Sequence, residues 1–522
     1  MPNVQNERTP WPVAVIDIGA TSLRMQISEI HLDGTIRKLE TFTQAISIGK
    51  DSFIKGRIDS KTIEDCVHVL RIYRLKLNEY RIFDNRQLRV VATSAVKEAQ
   101  NRLAFVDRIF VATGFEVEPL DEAELHRVTF VGALPLVEAE PKTFASPTVI
   151  CEVSGGTTEV LFFKSQEVLF SQSYRQGSLR IQKILEALSG PIITSRDVME
   201  SQLSRIIGQI KREAKKHNLK NMIAIGGDIR FAARQIAGER HESGLTEIKP
   251  SDLTKLTDEI LADSTQRLVA KFHLSLPEAE TLGPALMAYE MIARSLDVER
   301  IFVADFNLRD GIVQEMAQGG KWSHSVEQQT ISSAIQIGNK FKFDQKHSIH
   351  VSELASSVFD QMAALHQLDQ RYKVILVMAS ILHEIGLFVT TRSYHKHSLY
   401  LIRNSEFFGI SAKDIELCAL VARYHRRATP QPSHEGYSKL ERNERVSVTK
   451  LAAILRIAKA LDVSRNQRIK EINCQHRANQ LIITIEGVVD ITLERAEMEK
   501  AGQLFSGIFG TPVNLELAGD QS

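Results

Sequence analysis

The amino-acid sequence predicts an α/β protein in which two similar half-domains flank a cleft, followed by an all-α domain and a small α+β domain. Three observations lead to this fold class. A strand–turn–strand pattern near the N-terminus recurs near residue 150, strand patterns give way to helical periodicity after Ser325, and short strands return near the C-terminus. At 522 residues, the chain is also too long for a single hydrophobic core.

The first elements predict a tight β-hairpin. Residues 13–18 form an apolar run, residues 22–30 alternate between apolar and polar, and Gly19, Ala20 and Thr21 lie between them. Alternation with a period of two indicates a half-buried strand, and small residues between two strands indicate a short turn. The same criteria predict a helix over 63–80, a strand over 89–93 and a helix over 96–110.

The hairpin pattern is repeated once. Residues 15–22 (VIDIGATS) resemble residues 150–157 (ICEVSGGT), since each has two apolar residues, an acid, an apolar residue and then small or hydroxyl residues. An outgoing strand follows each copy, over 24–30 and over 159–163. Two copies of one hairpin predict two similar half-domains that face each other across a cleft.

The last 200 or so residues differ from the first part of the chain in period. Helical spacing predicts helices over 331–343, 352–365, 371–387 and 415–425, and prolines and a glycine predict a loop over 428–437. The tail predicts helices over 446–461 and 493–505 and strands over 469–473 and 480–485. We therefore expect domains at residues 1–135, 136–320, 321–445 and 446–522.

Composition excludes several classes. The longest apolar run, residues 374–382, is about half of what a bilayer span needs, and the polar N-terminus is no secretory signal. Cys66, Cys151, Cys418 and Cys474 are far apart, which favours the reducing cytoplasm over a disulfide framework. Residues 321–460 carry 19 Lys and Arg against 12 Asp and Glu, which is either a solvated basic face or a polyanion-binding surface.

The two hairpin turns predict a phosphate site. Glycine lets the backbone approach an anion closely, and successive N–H groups and hydroxyls can donate to phosphate oxygens. The acids would repel phosphate, so we expect them to hold Mg²⁺, which prefers oxygen ligands together with substrate phosphates. Two ordinary turns without a ligand are the alternative. The expected metal ligands are Asp17, Glu152 and Glu159.

Two further segments could close this cleft. Residues 223–228 (IAIGGD) run from a strand into glycines, and residues 91–97 (VATSAVK) place hydroxyls and a lysine at a strand-to-helix turn, where a threonine could equally be a helix N-cap. The expected phosphate-binding residues are Gly19, Thr21, Ser22, Arg24, Thr93, Ser94, Lys97, Gly155, Gly156, Thr157, Thr158, Gly226 and Gly227.

In this order, the segments 17–22, 92–99, 152–159 and 226–227 resemble the exopolyphosphatase / guanosine pentaphosphate phosphohydrolase (Ppx/GppA) family. The segments NLRDG (307–311), LHEIG (382–386), HKHS (395–398) and ARYHRR (422–427) extend the resemblance over nearly the whole chain. The resemblance implies two actin-like half-domains of the sugar kinase/Hsp70/actin (ribonuclease H-like) fold, an HD-like helical domain and an α+β C-terminal domain, as in long family members. It also implies a homodimer that removes a terminal phosphate from polyphosphate or from guanosine pentaphosphate (pppGpp) with water and Mg²⁺.

This sequence departs from the family pattern at the turns. Ala20 and Thr21 replace the usual Ser-Asn pair of the first loop, and Glu152 and Ser154 replace an Asp and a Gly of the second. Ser154 places a Cβ where the backbone could need a positive φ. Lys97 stands where an arginine is usual, which removes bidentate phosphate contact.

The catalytic carboxylate is the largest departure. The family has a Ser-Gly-x-Glu-Glu-Ala segment whose second Glu acts as the base, whereas residues 119–126 here read PLDEAELH. An ungapped alignment puts Leu125 at the base position, preceded by Glu124, and a shortened one makes Glu122 the base. Glu122 and Glu124 lie about 200° apart on a helix, so only one of them could face the cleft.

The resemblance implies a non-catalytic HD-like domain that forms a basic channel wall. A working HD metal site needs a His-Asp doublet with further His and Asp ligands, but here the doublet is His383-Glu384, and no acid stands at a convincing spacing from His395, His397 and His425. We therefore expect His383 to be a buried core residue. The expected polyanion-binding residues are Lys396, Arg403, Arg423, Arg426 and Arg427.

The sequence thus predicts a cytoplasmic phosphoanhydride hydrolase that acts on polyphosphate or on guanosine penta/tetraphosphate, with no membrane or specific nucleic-acid partner. The candidate catalytic residues are Glu122, which we prefer, and Glu124. A regulatory protein that binds polyphosphate or (p)ppGpp without hydrolysing it is the main alternative, because of Leu125 and the altered turns. A sugar or acetate kinase on the same fold is a weaker alternative.

Overall fold

The protein is described from a computed structural model that covers residues 10–84, 86–165, 167–187, 195–238, 244–320, 324–426, 428–477 and 480–518. The chain forms two compact units, Met1–Ser323 and His324–Ser522. All four cysteines are buried free thiols. None of the described helices combines the length and the apolar character needed to cross a membrane.

The first sheet has the order β3-β2-β1-β4-β5, in which β1 to β3 are antiparallel neighbours and β4 and β5 run parallel to β1. Strand β1 is central because both its faces are apolar: Ala14 and Ile16 pack in one core cluster, and Val13 and Val15 in another. The strands are β1 (Trp11–Ile18), β2 (Ser22–Ile30), β3 (Ile36–Ala45), β4 (Leu88–Ala92) and β5 (Val117–Pro119).

Five helices accompany this sheet. The prediction of one helix over 96–110 is wrong, because two helices form here and Asn101 lies between them. The Asn101 amide forms a pair of hydrogen bonds with the backbone of Ile58 at 2.9 and 2.8 Å, which fixes the break. The helices are α1 (Ile48–Lys55), α2 (Ser60–Glu79), α3 (Ser94–Glu98), α4 (Arg102–Thr113) and α5 (Glu122–Ala139).

The second sheet repeats the first. Its order is β10-β11-β9-β6-β7-β8, so β8-β7-β6-β9-β11 follows the same order and the same directions as the first sheet, with β10 added at one edge. The predicted repeat is therefore confirmed at the level of topology. The strands are β6 (Thr148–Val153), β7 (Thr158–Lys164), β8 (Glu167–Tyr174), β9 (Asn221–Ile225), β10 (Leu245–Ile248) and β11 (Arg300–Ala304).

The helices of this half enclose a second core cluster, built around the nearly inaccessible side chains of Phe162, Leu253 and Tyr289. They are α6 (Ser178–Ala187), α7 (Ser195–Ala214), α8 (Gly227–Ala237), α9 (Pro250–Ala262), α10 (Thr265–Phe272), α11 (Leu276–Leu296) and α12 (Leu308–Ala317), and a 3₁₀ turn spans Thr143–Ala145.

Helix α12 follows the second sheet but packs on the first, against β1 and α5. A Cβ added at Gly311 would overlap the Val128 carbonyl, so the glycine allows α12 and α5 to come into backbone contact. The segment NLRDG predicted as a family motif thus ties the two halves together. Asn307 caps the helix, and the side chains of Asn307 and Asp310 form a capping box.

The second unit is mainly helical, with the mixed sheet β12-β13-β14 at its C-terminal end. Its helices are α13 (His324–Lys340), α14 (Gln345–Gln361), α15 (Ala363–His366), α16 (Arg371–Leu382), α17 (Tyr394–Arg403), α18 (Ala412–Arg423), α19 (Arg442–Leu461) and α20 (Thr492–Phe509). Its strands are β12 (Ile472–Arg477), β13 (Gln480–Ile485) and β14 (Val513–Leu517), and 3₁₀ turns span Ile385–Phe388 and Tyr437–Lys439.

The helix predicted over 371–387 ends earlier, at Leu382. A Cβ added at Gly386 would overlap the Tyr394 carbonyl, so the chain turns here to let α17 pack close by, and the turn is 3₁₀. In the second unit, sequence reasoning missed α17 and β14, and in the first unit it missed, among others, β3, β8, β10 and β11. The expected boundaries at residues 135 and 445 fall inside α5 and α19, and the four-domain division stays a prediction.

Candidate active-site cleft

A cleft of about 700 Å³ lies in the first unit and is lined by residues of both half-domains. The β1–β2 turn and the β6–β7 turn both open into it, so Asp17 and Glu152 share one cavity. The two hairpins therefore face one cleft, as the repeat predicts.

Most of the residues singled out from the sequence line this cleft. They are Asp17, Gly19, Thr21, Ser22, Arg24, Thr93, Ser94, Lys97, Glu122, Glu152, Gly155, Thr157, Glu159, Gly226 and Gly227. Three others do not line it: Gly156, Thr158 and Glu124. The roles of all these residues in binding or catalysis stay predictions.

In the first hairpin, Asp17 is held by a buried ion pair. Arg309 from the start of α12 donates from Nη1 to Asp17 Oδ2 at 3.2 Å, and both side chains are 8% exposed. Arg24 is the cross-strand neighbour of Asp17. The second carboxylate oxygen, Asp17 Oδ1, is buried and has no hydrogen-bond partner.

In the second hairpin, side chains close the turn. The Ser154 hydroxyl accepts from the Thr157 backbone N–H at 3.1 Å, and Ser154 is not among the residues with positive φ, so the expected strain at this position is absent. Thr158 donates its hydroxyl to the Gln176 carbonyl at 2.6 Å and is fully buried. A Cβ on Gly156 would overlap the Ser94 hydroxyl, so this glycine lets the two half-domains touch.

The second hairpin also concentrates negative charge. Glu152 and Glu159 are cross-strand neighbours on β6 and β7. Burial, followed by repulsion from Glu159 and Asp17, raises the pKa of Glu152 from 4.5 to about 7. Glu159 accepts hydrogen bonds at 2.8 Å from His126 and at 2.8 Å from Ser173, so both its oxygens are engaged.

Beyond the second sheet, Asp228 brings another carboxylate to the cleft. Burial raises its pKa to about 6. It follows Gly226, whose φ of +133° and closeness to the Tyr289 hydroxyl exclude a side chain. Tyr289 itself accepts from the Val153 N–H at 2.8 Å and donates to the Ile225 carbonyl, which joins the ends of β6 and β9 at the cleft.

Sequence reasoning missed most of the cations of the cleft. Its lining includes Arg102, Arg175, Arg230, Arg234 and Arg309. The segment NLRDG contained Arg309 and could have suggested it, and Arg230 follows the predicted Gly226-Gly227 turn. Nothing in the sequence distinguishes the other three from surface arginines. His126 was also missed, because its partner Glu159 is on another element.

Helix α5 begins at the cleft, and its geometry determines the directions of the Glu122 and Glu124 side chains. Asp121 is the N-cap, and Glu124 accepts from the Asp121 backbone N–H at 3.1 Å, which completes a capping box and turns its carboxylate toward the helix start. Glu122 is 56% exposed at the rim, 3.8 Å from the Lys97 ammonium. Leu125, one turn further along, also lines the cleft.

The basic residues predicted to bind a polyanion lie in the second unit and are not equivalent. Arg403 forms a bidentate pair with Glu416 at 2.7 Å for both bonds, so its charge is already neutralised. Lys396, Arg423 and Arg426 together lower the pKa of His395, after burial, which places the three cations near one another. Arg427 lies outside the described residues.

Similarity to known proteins agrees with this fold and cleft. Two repeated half-domains of the same topology, on either side of one cleft, are the arrangement of an actin-like protein. The model of the Ppx/GppA phosphatase family matches residues 26–319, and that of Ppx/GppA phosphatase domain III matches residues 329–501. The chain belongs to the Ppx/GppA phosphatase family.

Individual relatives are distant. A guanosine-5'-triphosphate,3'-diphosphate pyrophosphatase of Vibrio atlanticus is 22% identical over 524 residues, which cover 97% of this chain and 99% of the relative. The crystal structure of an exopolyphosphatase from Cytophaga hutchinsonii superposes with a TM-score of 0.54 at 19% identity and covers 59% of this chain and 98% of its own.

Proposed function

We propose that this protein hydrolyses the terminal phosphoanhydride bond of inorganic polyphosphate or of pppGpp and releases orthophosphate. The observation that carries the proposal is the pair of matched hairpin turns that face each other in one cleft with hydroxyls, arginines and carboxylates around them. The names of the two relatives support these two substrates, since one is a pppGpp pyrophosphatase and the other an exopolyphosphatase.

The terminal phosphate would bind between the turns. Thr21, Ser22 and Thr157 supply hydroxyl donors, and all three line the cleft. Arg24 and Arg230 add positive charge for the phosphate oxygens, and guanidinium groups suit phosphate because they can donate two parallel hydrogen bonds. Thr93 stands at an N-cap position without a capping hydrogen bond, so its hydroxyl is available to a ligand.

The carboxylates fit a magnesium ion. Asp17 Oδ1 is buried without a partner, and Glu152 faces two other acids, so a divalent cation would relieve an unsatisfied atom and a repulsion. Asp17 and Glu152 are the residues that would hold it, whereas both oxygens of Glu159 already accept hydrogen bonds. When bound, Mg²⁺ neutralises charge on the phosphate that is cleaved.

Glu122 is the preferred base. It would take a proton from the attacking water as the water oxygen bonds to the terminal phosphorus and the bond to the bridging oxygen breaks, which leaves the shortened anhydride and orthophosphate. Its position at the cleft rim supports this role, and the capping bond of Glu124 argues against the other candidate.

Leu125 favours a second candidate function. Its aliphatic side chain lines the cleft, stands at the position of the family's base in the ungapped alignment, and cannot accept a proton. If Glu122 does not act in its place, the protein would bind polyphosphate or a guanosine polyphosphate through the same turns without hydrolysing it.

The experiment that separates the two functions measures orthophosphate release and equilibrium binding for long-chain polyphosphate, pppGpp and ATP, with and without Mg²⁺. Glu122→Gln should lower turnover by about 10²–10⁴-fold and leave binding nearly unchanged. Glu124→Gln is the matched control, because a glutamine at this position keeps the capping box. Binding without release, with hydrolysis gained by Leu125→Glu, would establish the binding function instead.

The remaining polymer would contact the exposed cations Lys396 and Arg426 and the half-buried Arg423 of the second unit. Affinity for long polyphosphate should then fall as salt rises, because bound counterions are released. Replacing all three by glutamine should weaken binding of the long polymer more than binding of pppGpp and reduce the salt dependence. Arg477→Gln, an exposed change on β12, is the control. Equal losses for both substrates would contradict a polymer-binding role.

A further inference from the structure

A buried histidine beside the cleft has no part in the proposed function. His126 lies on α5, is 5% exposed and does not itself line the cleft. Its Nε2 atom lies 2.8 Å from Oε2 of Glu159, and Glu159 does line the cleft. The imidazole therefore reaches the cleft through a single carboxylate.

This histidine stands next to the position where the family carries its base. In the ungapped alignment, the Glu-Ala pair of the family segment becomes Leu125-His126, so this chain loses a carboxylate and gains an imidazole at consecutive positions. Glu122 and His126 are four residues apart on α5, which places them about 40° apart around the helix axis. The preferred base and the histidine therefore lie one turn apart on the same face of α5.

Glu159 is held from two directions. A carboxylate oxygen only accepts, so His126 Nε2 donates to Oε2, and the Ser173 hydroxyl donates to Oε1 at 2.8 Å. Ser173 is the neighbour of Glu159 on β8, whereas His126 belongs to a helix that accompanies the first sheet. An ionised carboxylate offers about four acceptor positions, so Glu159 can still accept from water. The two donors fix its orientation and leave this capacity in place.

Without these donors, a neighbouring charge would displace the carboxylate. Glu159 and Glu152 are cross-strand neighbours, and two like charges lower their energy by moving apart. Burial first, and repulsion from Glu159 second, raise the pKa of Glu152. The hydrogen bonds from His126 and Ser173 hold Glu159 against this repulsion.

We propose that His126 is a positioning residue for the hydrolysis and that it acts through Glu159. The inference rests on the proposed function. The attacking water has two hydrogens: Glu122 takes one as a proton, and Glu159 accepts a hydrogen bond from the other without being protonated. This second bond directs the water oxygen toward the terminal phosphorus. The imidazole touches neither the water nor the phosphate, and its task is to keep Glu159 in place.

The test is a double-mutant cycle on the full chain with Mg²⁺, measured as orthophosphate release from pppGpp and from long-chain polyphosphate. His126→Leu removes the donor and should lower kcat by about 10–100-fold with little change in KM, because a misplacement of about 1 Å can cost about 10²-fold. Glu159→Gln should cost at least as much. The double variant should then be no slower than Glu159→Gln alone. Losses that multiply in the double variant would overturn the proposal.

Two further variants separate positioning from folding. His126→Gln places an amide N–H donor near the position of Nε2, so it should recover most of the kcat that His126→Leu loses. Thr129→Val is the matched control, because Thr129 is a buried polar residue on the same helix and lies outside the cleft lining. It should keep the wild-type kcat. Equal losses in His126→Leu and Thr129→Val, or no recovery in His126→Gln, would contradict a positioning role.

The same measurements distinguish this inference from the proposed function. A wild type that releases no orthophosphate from either substrate would refute the proposed function and the role of His126 together. A wild type that hydrolyses one of them, with an unchanged kcat in His126→Leu, would refute the role of His126 and leave the proposed function standing.

Discussion

The β1–β2 and β6–β7 hairpins have the same backbone hydrogen-bonding pattern but carry different charged side chains. Gly19 N–H donates to the Ser22 carbonyl at 3.0 Å, and Ser154 N–H donates to the Thr157 carbonyl at 2.8 Å, so the two turns close in the same way. The residue opposite the acid differs: Arg24 is the neighbour of Asp17, and Glu159 is the neighbour of Glu152.

The two hairpins therefore bring different charges to the cleft. In the first hairpin Arg309 and Arg24 accompany one acid. In the second, two acids face each other, and the pKa of Glu152 is raised. Under the proposed function, a metal ion would bind between the acids of the two hairpins, and the phosphate would bind between the turns.

The largest expected effect comes from breaking the charge balance of the first hairpin. Arg309→Met should lower the free energy of unfolding of the first unit by about 3–5 kcal/mol, because it leaves the buried Asp17 carboxylate without its partner. Urea unfolding followed by circular dichroism measures the loss. Arg37→Met is the control, since Arg37 is 67% exposed in its pair with Glu29, and such pairs contribute about 0–1 kcal/mol. Equal losses for both variants would contradict the role of Arg309.

The repeated hairpin could be predicted from the sequence, whereas the ion pair between Asp17 and Arg309 could not. Period-two alternation and small turn residues depend on neighbours along the chain, so both hairpins and the cleft that they share follow from sequence alone. Asp17 and Arg309 are 292 residues apart, and His126 and Glu159 are 33 apart. Such pairs depend on how helices dock, which no local pattern records.

Local rules also failed where tertiary contacts outweigh periodicity. The apolar spacing over 96–110 continues through Asn101, but this side chain accepts a hydrogen bond from the Ile58 N–H and donates one to the Ile58 carbonyl, which separates α3 from α4. The acids of α5 show the opposite case. The helical angle between Glu122 and Glu124 correctly predicted that only one faces the cleft, because that angle is a property of the helix itself.

The second largest expected effect is a pH dependence of stability that arises from the Glu152–Glu159 pair of the second hairpin. The pKa of the Glu152 carboxyl is raised from its ordinary value of 4.5 to about 7 in the folded protein. Between these two pH values, the folded state therefore binds a proton that the unfolded state has lost. Stability should therefore fall as pH rises through this window. Relative to Glu152→Gln, which does not titrate, the wild type should lose roughly 3 kcal/mol between pH 4 and pH 8.

This difference is measured by urea unfolding of the two proteins at several pH values without divalent cations. Glu140→Gln is a suitable control, because Glu140 is exposed just after α5 and away from the acid pair. The wild type and Glu152→Gln having parallel pH profiles would show that the second hairpin carries no repulsion, and the distinction between the two turns would fail.

The smallest expected effect concerns the contact between the second hairpin and the first half-domain. Gly156→Ala would place a Cβ against the Ser94 hydroxyl and 2.7 Å from Phe53 Cζ, so the turn or α3 must shift. Such overpacking costs about 1–3 kcal/mol. Gly155→Ala is a closely matched control, since its Cβ would lie 3.4 Å from Ala20 Cβ, an ordinary contact. Thermal unfolding should separate the two variants. Phosphate binding should weaken more in Gly156→Ala than in Gly155→Ala, because the added methyl group pushes the second hairpin away from Ser94, which also lines the cleft. Equal stability and equal binding in the two variants would mean that the turns do not need this contact to form the site.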